Sequence, residues 1–184
     1  MSQLLSHTRR QIDVFLQPGE YFVGDASYRI RTVLGSCVSV TLWCPFKRVG
    51  AMSHFLLATR SGSASAGLDG RYGDEALALM LHELARQKVS AAQCQAKIFG
   101  GGDMFPAQKT SASLAIGRRN GEAARRLLLA QGIEVISESL FGDGHRQIAF
   151  DVASGHVWSR QIRPHADSTV PAALVSQKAD RPSA

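Results

Sequence analysis

The sequence lacks most of the features that announce a function on sight. It has three cysteines, Cys37, Cys44 and Cys94, among 184 residues. An odd number at this spacing fits no disulfide framework, and a C-x6-C pair with one distant cysteine is no zinc pattern. Reduced thiols in a cytoplasm are the plain expectation. The stretch Met1 to Arg10 is polar, so no secretory leader is read there. No apolar run approaches the ~20 residues that span a bilayer, which excludes insertion and leaves action from the water side. There is no G-x-G-x-x-G. The run Phe99-Gly100-Gly101-Gly102-Asp103 precedes no predicted helix start, so it reads as a tight backbone turn rather than a dinucleotide loop. His7, His82, His145, His156 and His165 show no metal spacing, and neither metal nor cofactor is expected. No aromatic residues interleave with the basic pairs Arg118-Arg119 and Arg125-Arg126. That face reads as solvated, and no nucleic-acid partner is expected.

What is present is ordinary in bulk. Hydrophobic residues make up 45% and charged residues 20%, enough for a sizeable core at this length. The net charge of +6 is not gathered in one block, so it favours acidic partners only weakly. Alternation predicts strands at about 11–16, 21–24, 28–34, 37–43, 49–57, 96–99 and from 133, then a hairpin of 148–152 with 156–158. Asp74 is read as the cap of a helix over about 75–88 with a Leu77, Met80, Leu81, Leu84 stripe. Asn120 is read as the cap of a second helix over about 121–131, stopped by Gly132. Residues 60–70 read as a Gly/Ser loop. Roughly eight strands and two helices without strict alternation point to an α+β fold. A single domain over 1–162 is expected, with a disordered tail over 163–184.

One stretch carries candidate chemistry. In Thr32-Val33-Leu34-Gly35-Ser36-Cys37 a cysteine follows a small-residue turn, and His54 follows inside the apolar run Ala51-Met52-Ser53-His54-Phe55. Thiol catalysis needs a thiolate, a base and oxyanion donors. Backbone amides at the Gly35-Ser36-Cys37 break could supply the donors, and a paired His54 imidazolium would lower the thiol pKa. Thr32 is the candidate to fix the imidazole through its hydroxyl or carbonyl. The bland alternatives stand beside these readings. A buried cysteine is commonly an inert small hydrophobe, a histidine in an apolar strand a satisfied core residue, and threonine a good strand former.

Six motifs in order then resemble a known family. They are Thr32 to Val38, Gly50 to Leu57, Arg71-Tyr72-Gly73-Asp74, Lys97-Ile98-Phe99-Gly100-Gly101, Ile116-Gly117-Arg118-Arg119-Asn120, and Phe141-Gly142 with Arg146. Together they resemble CheD, the chemoreceptor glutamine deamidase family of bacterial chemotaxis, over about residues 12–160. The resemblance implies a layered, β-sandwich-like core with two main flanking helices, related to deamidating toxins. It implies a cytoplasmic cysteine-dependent protein-glutamine glutaminase that converts receptor glutamines to glutamate without a cofactor. The nucleophile falls on Cys37, the histidine on His54 and the threonine on Thr32, with Gly35 and Ser36 forming the oxyanion turn. Methyl-accepting chemotaxis receptors are the implied partners, with a CheC-type phosphatase as a second and a monomer as the working form. The family often has Asn where this chain has Ser53, and Pro where it has Ala58. Other outcomes of the same residues are a transglutaminase with the same acyl-enzyme, or an adaptor that binds receptors or a CheC-like phosphatase with little catalysis.

Overall fold

A computed structural model describes residues 11–61, 67–104 and 111–163. Residues 62–66 of the 60–70 loop and the tail beyond Arg163 lie outside the described residues. The strands are β1 (Ile12–Phe15), β2 (Tyr21–Gly24), β3 (Tyr28–Leu34), β4 (Val38–Cys44), β5 (Val49–Ser53), β6 (Gln95–Gly100), β7 (Glu134–Leu140), β8 (His145–Asp151) and β9 (Val157–Ile162). Two long helices, α1 (Gly73–Arg86) and α2 (Ser111–Ala130), complete the fold. The strands form two sheets, ordered β1-β3-β8-β9 and β2-β5-β4-β6-β7. Both helices pack on the five-stranded sheet. Its other face meets the four-stranded sheet, giving helices, sheet and sheet in three layers. The expected α+β class with a layered β core and two flanking helices is borne out.

The layers follow from alternation. In β3, Ile30, Thr32 and Leu34 are buried while Arg31 and Val33 are exposed, so one face points inward. In β4, Val38, Val40, Leu42 and Cys44 join the helix-side core with Ala51, Phe55, Leu77, Met80, Leu84 and Leu128. The alternate residues Cys37 and Trp43 pack in the inter-sheet core with Leu16, Ile30, Leu34, Met52, Phe99, Ile148 and Phe150. Between β3 and β4 the chain leaves one sheet and enters the other. The crossing is Gly35-Ser36, the break seen in the sequence.

Two boundaries correct the sequence reading. Helix α1 starts at Gly73 with Tyr72 as its N-cap, so Asp74 lies in the first turn, where its carboxylate favours the helix dipole. The expected stripe holds: Leu77, Met80 and Leu84 are buried and Leu81 packs against them. Helix α2 begins about ten residues earlier than expected, and Asn120 is mid-helix, not a cap. Gly117 and Asn120 look like breakers in isolation, yet tertiary contacts require both. A Cβ on Gly117 would lie 2.6 Å from the Gly101 carbonyl oxygen, so only glycine lets helix and loop backbones meet. Gly132, with φ of +67°, ends the helix as expected.

Candidate functional site

Cys37 is the first residue after the crossing and is half-buried. Val38 and Phe55 exchange both backbone bonds, N–H of Val38 to O of Phe55 at 3.1 Å and the reverse at 3.0 Å. In that antiparallel register Ser39 lies opposite His54, and Cys37 is diagonal to His54 on the same face. Diagonal partners lie about 7–8 Å apart at Cα, within reach of an imidazole. His54 is not inside a strand, as the sequence had suggested. Strand β5 ends at Ser53, and the β4–β5 ladder stops at Thr41 and Met52 before resuming at Val38 and Phe55. In between, the Val40 N–H reaches the Ser53 hydroxyl at 3.4 Å. The His54 backbone turns instead toward the lead-in of β2. Its N–H donates to Glu20 O at 2.9 Å and its carbonyl accepts from Gly19 at 2.7 Å.

The His54 side chain is 3% exposed and points into the inter-sheet layer. There its Nδ1 lies 2.8 Å from the Thr32 Oγ1 of the opposing sheet. The same hydroxyl donates to Leu16 O at 2.8 Å. A hydroxyl has one proton, and the Leu16 carbonyl can only accept it. Nδ1 therefore supplies its own hydrogen to Thr32, and Nε2 is left as the free basic nitrogen of the neutral ring. Thr32 reaches the site through its hydroxyl, the first of the two options left open by the sequence.

Electrostatics here run against the ion pair expected from the sequence. Burial pushes the Cys37 thiol above its ordinary pKa, opposed in part by its own backbone amide. Burial also pulls His54 below its ordinary value, opposed in part by the Leu16 carbonyl and the Glu20 carboxylate. Desolvation disfavours the charged form of both groups. Both shifts run toward the uncharged forms, the thiol for Cys37 and the neutral imidazole for His54.

The turn before Cys37 is held entirely from behind. Gly102 N–H donates to Gly35 O at 2.8 Å, and Gly101 N–H to Cys37 O at 2.8 Å. Asn120 Nδ2 donates to Ser36 O at 3.2 Å and to Leu56 O at 2.7 Å. Among the described residues, no backbone acceptor takes the amides of Ser36 or Cys37. The glycine run is the tight turn expected. Gly100 has φ of +114°, and a Cβ there would sit 2.2 Å from the Cys37 carbonyl oxygen. Beneath it, the buried guanidinium of Arg146 donates to Gly100 O at 3.1 Å and to Phe141 O at 3.1 Å. Among the described residues no cluster of side chains could hold a metal ion.

The sequence missed three residues. Asn120 was read as a cap, and Arg146 entered only as part of a motif. Ser39 was not read at all; it is fully buried opposite His54, with a hydroxyl that no described residue partners. Only alternation in β4 could have found it, since Ser39 shares the parity of Cys37.

Fold and site together define an α+β protein with a thiol, an imidazole and a hydroxyl gathered in the layer between two sheets. The sequence pattern of CheD chemotactic sensory transduction matches residues 56–161. The chain is 63% identical over 161 residues to Probable chemoreceptor glutamine deamidase CheD 2 of Albidiferax ferrireducens, covering 87% of this chain and 93% of that one. It is 45% identical over 146 residues to Probable chemoreceptor glutamine deamidase CheD 3 of Dechloromonas aromatica, covering 79% and 85%. With CheD 1 of Chromobacterium violaceum the identity is 43% over 148 residues, covering 80% and 77%. The chain belongs to the CheD family, as the six motifs had indicated.

Proposed function

We propose that this protein is a cysteine-dependent protein-glutamine glutaminase acting on methyl-accepting chemotaxis receptors from the cytoplasm. The observation that carries the reading is the 2.8 Å Thr32–His54 bond, with Cys37 diagonal to that histidine. It sits in a family whose relatives bear the name chemoreceptor glutamine deamidase.

The chemistry starts from the uncharged forms that burial favours. As Cys37 Sγ attacks the side-chain carbonyl carbon of a glutamine, its proton passes to His54 Nε2. Thr32 holds the ring by accepting the Nδ1 hydrogen, a bond that strengthens as the ring becomes cationic. The oxyanion of the tetrahedral species is received by the Ser36 and Cys37 amides. His54 then returns its proton to the leaving nitrogen, ammonia departs, and a thioester remains. Water gives a proton to Nε2 while its oxygen attacks the thioester, releasing glutamate and restoring the thiol. One water is consumed and one ammonia is formed, so no redox partner is needed. The +6 charge suits approach to an acidic receptor bundle beneath an anionic membrane. Among the described residues no helix is long and apolar enough to cross that membrane. The same reading has the protein act as a monomer, with a CheC-type phosphatase as a second partner.

The test is incubation with an amidated receptor cytoplasmic fragment, read as the amide-to-acid mass shift on individual peptides. Conversion by the protein and none by Cys37→Ala is expected. A Cys37→Ala protein that still converts the peptides would sink the reading. Added primary amine should leave glutamate as the product; an aminated product would make the protein a transglutaminase instead.

A further inference from the structure

We propose that Asn120 is a positioning residue that aims the Cys37 amide at the oxyanion by holding the Ser36 carbonyl from the opposite side. This rests on the amide-hydrolysis reading above. The argument is one of peptide geometry. The carbonyl of Ser36 and the N–H of Cys37 belong to one planar trans unit and point in opposite directions. Asn120 takes that carbonyl at 3.2 Å from the α2 side, so the Cys37 N–H must face away from α2. The neighbouring peptide obeys the same rule: Gly102 takes the Gly35 carbonyl, so the Ser36 N–H faces away from the glycine run. The Cys37 amide also acts to lower the pKa of its own thiol, against the larger effect of burial.

The other hydrogen of the Asn120 amide donates to Leu56 O at 2.7 Å. One NH2 group therefore ties the nucleophile turn to the segment that follows His54, and both of its hydrogens are used. Asn120 is 1% exposed in the middle of a 20-residue helix, a place where asparagine is intrinsically unfavourable. A buried amide there is stable only because both hydrogens find carbonyls. Aspartate has the same shape but no donor, and alanine does not reach, so neither can hold the turn.

The full chain is measured as wild type, Asn120→Asp and Asn120→Ala. Two readouts are compared: kcat and KM for deamidation of a receptor cytoplasmic fragment, and the pH profile of Cys37 alkylation by iodoacetamide. Alkylation needs the thiolate but develops no oxyanion. If Asn120 aims the amide, kcat falls about 10–10²-fold, below the loss for deleting a donor outright. KM and the alkylation profile then stay within about twofold of wild type. Unchanged kcat would overturn the proposal, and so would alkylation falling in parallel, which marks general collapse of the site. Should both variants fail to fold, amide hydrogen exchange in the wild type decides. The Cys37 amide should exchange much faster than that of Val38, which is bonded to Phe55; equal protection would overturn the proposal. A wild-type protein that deamidates nothing would sink the deamidase reading alone, leaving exchange to judge the role of Asn120.

Discussion

The two faces of β4 are both largely removed from water and chemically unlike. Toward the helices β4 presents Val38, Val40, Leu42 and Cys44, all buried and all apolar. Toward the other sheet the same strand and its lead-in present Cys37, Ser39 and Thr41, facing His54 and, from β3, Thr32. Burial does not separate the two faces; the supply of hydrogen-bond partners does. A helix consumes its own backbone groups, so α1 and α2 offer the sheet mainly side chains. The opposing sheet supplies a carbonyl where β1 ends, at Leu16, and a hydroxyl at strand pitch, Thr32. Polar groups can be desolvated only where such partners exist. That places the polar layer between the sheets and leaves the helix side of β4 apolar.

This contrast can be broken from either face. The largest effect is expected from Cys37→Ala, which should lower deamidation about 10⁴-fold or more while leaving the melting midpoint nearly unchanged. Loss of fold rather than of activity would show that Cys37 serves the core. Thr32→Val keeps the shape and strands the Nδ1 hydrogen, at a cost of about 1–3 kcal/mol, or roughly 5–150-fold in kcat/KM. An unchanged kcat/KM would remove Thr32 from the site. On the other face, Leu42→Ala should cost about 2–5 kcal/mol in denaturant unfolding with activity per folded molecule retained. A drop in activity without a drop in stability would contradict the division of labour.

The pH response tests the same contrast more finely. The folded-state pKa of His54 lies below its ordinary 6.5, so the unfolded chain binds the extra proton first. Its stabilising contribution is present above about pH 6.5 and is lost as pH falls through the folded-state value. His54→Gln should flatten that part of the stability curve; an identical slope in wild type and variant would mean that other groups carry it. Alkylation of Cys37 should still be rising with pH at its ordinary pKa of 9.0, since burial raises the thiol further. Cys94 is pushed to about 11 and is buried, so it should lag behind Cys37 throughout. The smallest effect belongs to Ser39→Ala. It removes a buried hydroxyl without a described partner and should be neutral or stabilising by up to about 1 kcal/mol.

Much of this arrangement was legible in the sequence, and the boundary lies where local and tertiary signals diverge. Period-two alternation in β3 placed Thr32 inward beside Ile30 and Leu34, because a strand half exposed to water must alternate. The Leu77, Met80, Leu84 stripe gave α1 its buried face for the analogous helical reason. The break at Gly35-Ser36 was visible, but not that it carries the chain from one sheet to another. Asn120 was misread as a cap because its requirement comes from residues distant in sequence, the Ser36 and Leu56 carbonyls. Pairing with a histidine is visible in a motif, whereas the dehydration that pushes the Cys37 thiol up and His54 down belongs to the assembled layers.

The Asn120 bridge also has a consequence in time. Its acceptor Ser36 lies 84 residues earlier in the chain, and the Arg146 that supports Gly100 lies 46 residues beyond it. During synthesis the cysteine therefore emerges long before the groups that would orient it. Until α2 and β8 have left the ribosome and docked, Cys37 is an ordinary thiol on an unfinished chain. Catalytic competence should then appear in a single late step, together with completion of the two sheets.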